Sequence, residues 1–315
     1  DALERQHAGM VLHPAVRANL DLLRKPATLT ITTGHQLCLF TGPLYFPLKV
    51  LNAIRLARDL SRADRPVVPV FWMASEDHDR AEIDHAWVAG KKIEWPGEAG
   101  APVGRLPLDG IEAVLAQLDP MLGEGLEADH LREQLRDAYR SDRTLADDTR
   151  RFVHALFGRF GLVVIDGDDP ELKKRFAPFM KEEALNQVTQ RTVRYAEEKM
   201  AGRYPPQAHA REVNLFHLSD RLRARMEHRD DGFHVLDGGT RYTNEELLDT
   251  LDDRPQVFSP NVLLRPLYQE VVLPNIAYIG GGGELAYWLQ LKWLFQAFQV
   301  PMPVLVLRTS VLLMA

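Results

Sequence analysis

The stretch Ile31–Val50, ITTGHQLCLFTGPLYFPLKV, decides the fold class of this chain. Its first two residues are the end of a short β-branched run, Ala27–Thr32, whose composition predicts a strand. Beyond the two glycine turns, apolar residues recur at helical spacing from Val50 to Leu60, which predicts a helix. This helix either has Pro43 in its first turn or begins only near Phe46 or Pro47, because Pro47 lies one turn further in. A strand that turns into a helix is the repeating unit of α/β folds. The stretch therefore predicts an α/β fold, and its polar residues lie where such folds bind ligands.

The rest of the chain continues the alternation of strands and helices. Apolar runs at Val67–Trp72, Gly161–Ile165, Asn275–Ile279 and Val304–Leu307 predict further buried strands, and helical patterns separate most of them. The order predicts a parallel sheet interrupted by a helical and mixed insertion. We therefore expect a core in two parts, residues 1–169 and 256–315, around an insertion at residues 170–255. Shorter strands are expected at Ile83–Val88, Glu212–Leu218 and Gly232–Leu236, and a loop or hairpin at Lys91–Arg105.

Composition excludes several classes of protein. The 315 residues are 45% hydrophobic and 26% charged, which favours a folded chain with a sizeable core. A net charge of -6 argues against a nucleic-acid binder, and no long apolar run predicts a membrane span. The charged start DALERQHAGM does not resemble a signal peptide. Because one cysteine cannot form an internal disulfide, we expect a cytoplasmic protein.

Polar and glycine-rich groups follow four of the predicted strands. They are Thr33–Gln36, Glu76–Asp79, the pair Asp166 and Asp168, and Gly280–Glu284. Ligands of open parallel sheets bind beyond the carboxyl ends of the strands. We therefore expect these groups to line one cleft, with Gly34 through Lys49 as its first wall.

Within the opening stretch, three features have a functional and a structural interpretation. Thr41 and Gly42 precede a helix start, which is either an anion site or a plain turn. His35 either moves a proton or stabilises phosphate charge, or it is structural. Cys38 lies between leucines, where apolar surroundings raise the thiol pKa, so we expect packing and not nucleophilic chemistry.

The other polar groups leave similar alternatives. Glu76–Asp79 either recognises an amine and hydroxyls, binds a metal at a spacing that matches no standard site, or caps the next helix. Arg265, amid leucines, is either a carboxylate clamp or a buried ion pair. Glu284 either holds a substrate amine or caps the helix that follows the glycine run.

Five long strings in this sequence resemble one family. They are TGHQLCLFTGPLYFPLK, PVFWMASEDHD, KKIEWPGEAGAPVGR, PQAHAREVNLFHL and FSPNVLLRPLYQEVVLPNIAYIGGGGELAYWLQLK. Together they resemble the bacillithiol biosynthesis cysteine-adding enzymes, the BshC family, from about residue 28 to residue 310. The resemblance implies a Rossmann-like core with connecting-peptide insertions, like class I aminoacyl-tRNA synthetases and nucleotidylyltransferases. It also implies a ligase that joins L-cysteine to the amine of glucosaminyl-malate.

The sequence departs from the family pattern at three places. His35 replaces the usual glutamine of the first motif, and Gly283 replaces the usual proline or small residue of the glycine motif. The family implies a C-terminal coiled coil that makes a homodimer. This chain ends at Ala315, about where the coiled coil begins, so we do not expect the coiled coil in it.

Residues and resemblance together predict a site. The catalytic residues are expected to be Asp77, His78 and His35. The substrate-binding residues are expected to be Gly34, Gln36, Thr41, Gly42, Tyr45, Lys49, Glu76, Asp79, Asn261, Arg265, Gly281, Gly282, Glu284 and Tyr287. No metal is expected, and activation by ATP or another nucleotide is left open. The rival interpretations are a nucleotidylyltransferase for another small metabolite and a non-catalytic binding protein.

Overall fold

The computed structural model describes residues 1–312, so the last three residues, at which the coiled coil was expected to begin, lie outside the described part. The chain divides into two compact units. The first contains Leu3–Asp166 and residues 309–312, and the second contains Gly167–Arg308. The division of the chain at residues 170 and 255 stays a prediction.

The first unit is a parallel α/β layer with a helical addition. Its strands are β1 (Leu29–His35), β2 (Val67–Met73), β3 (His85–Val88), β4 (Lys91–Glu94) and β5 (Val163–Asp166). Its helices are α1 (Ala2–Gln6), α2 (Pro14–Leu22), α3 (Tyr45–Leu60), α4 (Arg80–Ile83), α5 (Ile111–Leu118), α6 (Leu126–Ala138) and α7 (Leu145–Phe157). Strand β2 pairs in parallel with β1 on one side and with β5 on the other. The parallel sheet expected from the apolar runs is therefore confirmed.

Strand β2 is the centre of this layer. All seven of its residues are buried, because helices or loops cover both faces of a parallel sheet. Helix α3 begins at Tyr45, so Pro43 is not in its first turn, and the alternative of a start near Phe46 is the correct one to within one residue. Pro47 is instead the third helical residue, where the missing N–H removes no bond within the helix.

The segment after β2 carries a small hairpin. Strands β3 and β4 pair antiparallel, His85 opposite Glu94. The hairpin therefore spans residues 85–94: its first strand is the later part of the expected strand Ile83–Val88, and only β4 lies within Lys91–Arg105. The next turn returns to the end of β2, because Gly104 N–H donates to Ser75 O at 2.8 Å. Gly104 is required there, since a Cβ would lie 2.5 Å from Ser75 Cβ. The hairpin and turn thus support the loop that follows β2.

The second unit contains two sheets. Its strands are β6 (Leu215–Ser219), β7 (Leu222–Arg229), β8 (Gly232–Val235), β9 (Arg241–Tyr242), β10 (Phe258–Pro260), β11 (Asn275–Gly280) and β12 (Val304–Leu307). Its helices are α8 (Pro170–Asn186), α9 (Val188–Met200), α10 (Asn244–Asp253), α11 (Arg265–Val272), α12 (Gly282–Trp288) and α13 (Lys292–Ala297). The order β10-β6-β7-β8-β9 is antiparallel, and β11 pairs with β12 in parallel.

Helices of the second unit begin and end at recognisable residues. Asp169 accepts hydrogen bonds from Glu171 N–H and Leu172 N–H at the start of α8, as its position before a proline predicts. Gln187 separates α8 from α9 with a left-handed backbone, φ 48°, so residues 170–200 form two helices. Within residues 1–312, no helix has both the length and the apolarity needed to cross a membrane.

Candidate functional site

A pocket of about 630 Å³ lies at the carboxyl end of β1 in the first unit. Its lining residues are His35, Gln36, Cys38, Gly42, Pro43, Leu44, Tyr45, Glu82, His85, Ala86 and Trp87. Four of the predicted site residues, His35, Gln36, Gly42 and Tyr45, are among them. None of these described lining residues is a lysine or arginine, whereas Glu82 brings a carboxylate. The polar part of the pocket therefore favours a ligand that donates hydrogen bonds.

His35 lies between aromatic rings and the thiol. Its ring centroid is 5.3 Å from the centroids of Tyr45 and Phe46. Its Nε2 lies 3.9 Å from Cys38 Sγ, which also contacts Glu82 O at 3.5 Å. Burial raises the pKa of the Cys38 thiol to about 12. The thiol is therefore protonated at neutral pH and takes a packing role, as the sequence predicts.

The turn between β1 and α3 has an unusual backbone. Phe40, Thr41 and Gly42 all have positive φ, at 54°, 76° and 67°. A Cβ on Gly42 would lie 2.5 Å from Cys38 Cβ, so only glycine fits. Thr41 N–H donates to Cys38 O and Gly42 N–H to Leu39 O. Because these two N–H groups donate to carbonyl oxygens within the turn, they do not point at an anion. What remains of the predicted anion site is the start of α3, where the helix dipole has its positive end.

Gln36 and Asp77 face each other, although 41 residues separate them. Gln36 Nε2 donates to Asp77 Oδ2, and His78 N–H donates to Asp77 Oδ1 at 2.7 Å. His78 Nδ1 lies 3.3 Å from the same oxygen. The backbone of the loop Glu76–Asp79 is also fixed, because Val103 N–H donates to Asp77 O at 2.6 Å. Asp77 thus fixes the orientation of Gln36 at the pocket wall, while His78 is the more exposed partner.

Glu82 is a pocket residue that sequence reasoning missed. It lies in the short helix α4, which follows the acidic loop. Burial raises the pKa of Glu82, the charges of Asp79 and Asp77 raise it further, and a hydrogen bond with Gln36 lowers it. Its spacing from Asp79, three residues in a helical turn, is the sequence signal that places both carboxylates on one side. Of these three acidic side chains, Glu82 lines the pocket, and Asp77 and Asp79 are close enough to raise its pKa.

The remaining predicted residues of this unit support the pocket from outside its lining. Lys49 is 1% exposed, and its Nζ donates to Gly34 O at 2.6 Å, which fixes the end of β1. Glu76 is buried, and Asp79 is the exposed residue before α4. Within the described residues 1–312, no group of three His, Cys, Asp or Glu side chains is arranged to hold a metal ion.

A second polar cluster surrounds Arg265 in the second unit. Tyr278 OH donates to Glu284 Oε1 at 2.8 Å, and Gly281 N–H donates to Glu284 Oε2 at 2.7 Å. Burial lowers the pKa of Arg265, but Tyr287, Tyr278 and Glu284 raise it above its ordinary value, and Tyr287 hydrogen-bonds it. The structure thus brings together four of the predicted substrate-binding residues, Arg265, Gly281, Glu284 and Tyr287. That they share a ligand with Gly34–Lys49 stays a prediction.

Arg265 is oriented by a chain of side chains on α11. Its Nη1 donates to Gln269 Oε1 at 3.2 Å, and Gln269 Nε2 donates to Glu270 Oε1 at 2.7 Å. Asn275 Nδ2 donates to the same Glu270 oxygen at 3.0 Å. Burial raises the pKa of Glu270 to about 8, so its carboxyl group is largely protonated at pH 7. Because a protonated Glu270 carries no charge, it does not neutralise the positive charge of the Arg265 guanidinium.

Asn261 and the glycines have different surroundings. Asn261 Oδ1 accepts from Leu263 N–H and Leu264 N–H, both at 3.0 Å, and its Nδ2 donates to Asn214 at 2.8 Å. These bonds shape the turn before α11. A Cβ on Gly282 would meet nothing within 4 Å, so the backbone at the start of α12 is open to a ligand. Its φ is not in the left-handed region, so conformation alone does not require glycine there.

The chain resembles proteins of one family along nearly its whole length. The family model described as "Bacillithiol biosynthesis BshC, N-terminal Rossmann-like domain" matches residues 1–309. Proteins named "Putative cysteine ligase BshC" from Flavobacterium johnsoniae and Cytophaga hutchinsonii are 42% and 43% identical over 99% and 96% of this chain. One from Salinibacter ruber is 35% identical over 99% of it.

These matches cover 59%, 57% and 59% of the relatives, so the chain spans about three-fifths of their length. The parallel β1-β2-β5 layer agrees with the Rossmann-like description. The chain therefore belongs to the BshC family and carries that family's N-terminal Rossmann-like domain.

Proposed function

We propose that this protein is a cysteine ligase of bacillithiol biosynthesis, which adds L-cysteine to the amine of glucosaminyl-malate. The family and the names of its relatives support the reaction class. The observation that carries the proposal is the pocket in the first unit, where Glu82, Gln36 and His35 face a volume of about 630 Å³. Neither a lysine nor an arginine is among the described residues that line it, and such a pocket suits an ammonium group.

The proposed substrate amine binds at Glu82. A carboxylate next to an ammonium group stabilises its charged form, and Asp77 and Asp79 add negative charge around it. A carboxylate of the substrate or of cysteine is favoured at the start of α3, by the positive end of the helix dipole. The pocket then binds a molecule that carries both an ammonium group and a carboxylate.

The proposed reaction joins the amine nitrogen to the cysteine carboxyl carbon. The nitrogen, bound as an ammonium group, must lose one proton before it attacks and a second one as the amide forms. The bond between the carboxyl carbon and its activating group breaks at the same stage, and that group leaves with the electron pair. Asp77, His35 and His78 are the proposed groups for accepting these protons, and Asp77 also orients Gln36. ATP or another nucleotide is the proposed activating reagent, and the support for it is the class of fold alone.

Arg265 is the proposed carboxylate site of the second unit. Its guanidinium is oriented by Gln269 and hydrogen-bonded to Tyr287. The backbone at Gly282 has open space around it. A fixed guanidinium binds a carboxylate through two parallel hydrogen bonds. The malate carboxylates of the proposed substrate are ligands of this kind.

The function is tested by following pyrophosphate and product together. The chain is incubated with cysteine, glucosaminyl-malate and ATP, and each component is left out in turn. The proposal expects product only when cysteine and glucosaminyl-malate are both present, and it expects ATP consumption to depend on cysteine. Pyrophosphate released without cysteine would instead favour a nucleotidylyltransferase, and ligand binding without any product would favour a binding protein.

Replacing Glu82 with glutamine is expected to weaken binding of glucosaminyl-malate about tenfold, because a charge-assisted hydrogen bond to the ammonium group is lost. Isothermal titration calorimetry measures this. The N-acetylated substrate, which has no ammonium group, should bind both proteins equally. Glu98→Gln is the matched control, since Glu98 is exposed and outside the pocket lining. Equal affinity of wild type and Glu82→Gln for the amine would remove Glu82 from substrate recognition.

Replacing Asp77 with asparagine is expected to lower kcat about a hundredfold, since the carboxylate is a proposed proton acceptor and holds Gln36 in place. The asparagine amide offers one acceptor oxygen where Asp77 offers two. Steady-state kinetics with saturating cysteine measure the effect. Full activity in this variant would exclude the acidic loop from the chemistry.

A further inference from the structure

The turn that forms one wall of the pocket is strained. Phe40 and Thr41 hold left-handed φ values of 54° and 76°, directly before Gly42 at 67°. A residue with a side chain pays about 1–2 kcal/mol for this conformation, and it persists only where the surroundings fix it. Two such residues in succession therefore require an external restraint. The next residues, Pro43–Tyr45, line the pocket, so its shape depends on that restraint.

Tyr139, which follows α6, contacts the strained turn. Phe40 N–H donates to Tyr139 Oη at 3.2 Å, and the two rings meet edge to face with centroids 5.3 Å apart. Tyr139 is 2% exposed and packs on its other side against Phe152. Tyr139 is not among the residues that line the pocket. Its hydroxyl thus contacts the turn that forms the pocket wall through the backbone N–H of Phe40.

Tyr139 is itself fixed by its neighbours in the chain. Its N–H donates to Leu135 O at 2.9 Å, which closes the last turn of α6. The next N–H, that of Arg140, donates to Asp148 Oδ2 at 2.7 Å. Asp148 is fully buried on α7, and Arg143 Nε lies 2.9 Å from its other oxygen. Tyr139 is therefore held rigidly enough to act as a restraint.

We propose that Tyr139 is a positioning residue for the pocket, which holds the left-handed turn Phe40–Gly42 in the conformation that shapes the pocket wall. Its effect on catalysis rests on the proposed function, whereas its effect on the turn does not. Cys38 provides a probe of the turn that is independent of any reaction. It is the chain's single cysteine and is 7% exposed, and a Cβ on Gly42 would lie 3.2 Å from its Sγ.

The test compares thiol labelling of the wild-type chain and Tyr139→Phe with Ellman's reagent under native conditions. Loss of the hydrogen bond should raise the labelling rate of Cys38 about tenfold, because the turn opens more often. Urea unfolding of each protein gives the labelling expected from global unfolding alone. Tyr268→Phe is the matched control, since it removes a buried hydroxyl that donates to Gly167 O within the second unit, and it should leave labelling unchanged.

A second variant tests that the hydroxyl acts through the turn. Thr41→Gly relieves the strain at one left-handed position, so Tyr139→Phe should raise labelling much less in its presence than in the wild type. Equal labelling of wild type and Tyr139→Phe would overturn the proposal, as would an increase fully explained by global unfolding.

The catalytic readout is kinetic. Tyr139→Phe should raise KM for glucosaminyl-malate about tenfold with kcat little changed, because the pocket must be reordered before substrate binds. If Tyr139→Phe raises the labelling rate of Cys38 but the wild-type chain forms no product, the positioning role is supported and the proposed function is refuted. An unchanged KM in an active enzyme whose labelling has risen would refute the link between turn and pocket.

Discussion

Replacing Gly42 with alanine is expected to lower the free energy of unfolding by about 3 kcal/mol, more than a typical surface substitution. Two costs combine at this position. The backbone φ of 67° is unfavourable for alanine, and the new Cβ would lie 2.5 Å from Cys38 Cβ. Because Cys38 is packed beneath the turn, the backbone must shift to make room. Urea unfolding monitored by tryptophan fluorescence measures the effect.

Gly9→Ala separates the two costs. Gly9 has a similar φ of 72°, but a Cβ there meets nothing within 4 Å. This control should lose only about 1 kcal/mol, the cost of the left-handed backbone. If the two variants lost equal stability, the close packing between Gly42 and Cys38 would not be a real constraint on the turn.

Stability is also expected to fall as the pH rises from 5 to 8, through the titration of Glu270. Burial raises the pKa of this carboxyl group from an ordinary 4.5 to about 8 in the folded protein. Above pH 4.5 the unfolded chain loses the proton, whereas the folded chain retains it until about pH 8. The folded state thus binds more protons across this window, so increasing pH favours unfolding. The shift corresponds to a loss on the order of 4 kcal/mol.

Glu270→Gln isolates this contribution, because glutamine keeps an acceptor for Gln269 and Asn275 and carries no charge at any of these pH values. The difference in unfolding free energy between variant and wild type should be small at pH 5 and should favour the variant by several kcal/mol at pH 8. Urea unfolding at pH 5, 6.5 and 8 measures it. A difference that does not change with pH would show that Glu270 is ionised in the folded protein at pH 5.

The sequence predicts strands best where the residues are apolar on both faces. Val67–Trp72 is one such run, and it lies in the fully buried central strand β2 of its layer. Strand β7, Leu222–Arg229, was missed, because five of its eight residues are arginine, glutamate or histidine. Only Ala224 and Met226 are buried in it, so the alternating pattern is too sparse to distinguish from a charged loop.

The site shows a similar limit. Glycines, carboxylates and histidines at strand ends point to the pocket, since parallel strands deliver their last residues to one edge. Lys49 lies in the same stretch, but the sequence does not show that its ammonium group turns inward to Gly34 O. The Tyr139 hydroxyl accepts a hydrogen bond from the N–H of Phe40, which is 99 residues away in the sequence. Contacts of that range depend on how α6 and α7 pack, and no local pattern encodes them.

The mass of the product tests the central claim most directly. The chain is incubated with isotopically labelled cysteine, glucosaminyl-malate and ATP, and the mixture is analysed by mass spectrometry alongside Glu82→Gln. We predict a new species with the combined mass of the two substrates less one water, which carries the label and forms more slowly with the variant at low substrate concentration. Absence of that species from the wild-type reaction, with both substrates unchanged, would contradict the proposed ligase function.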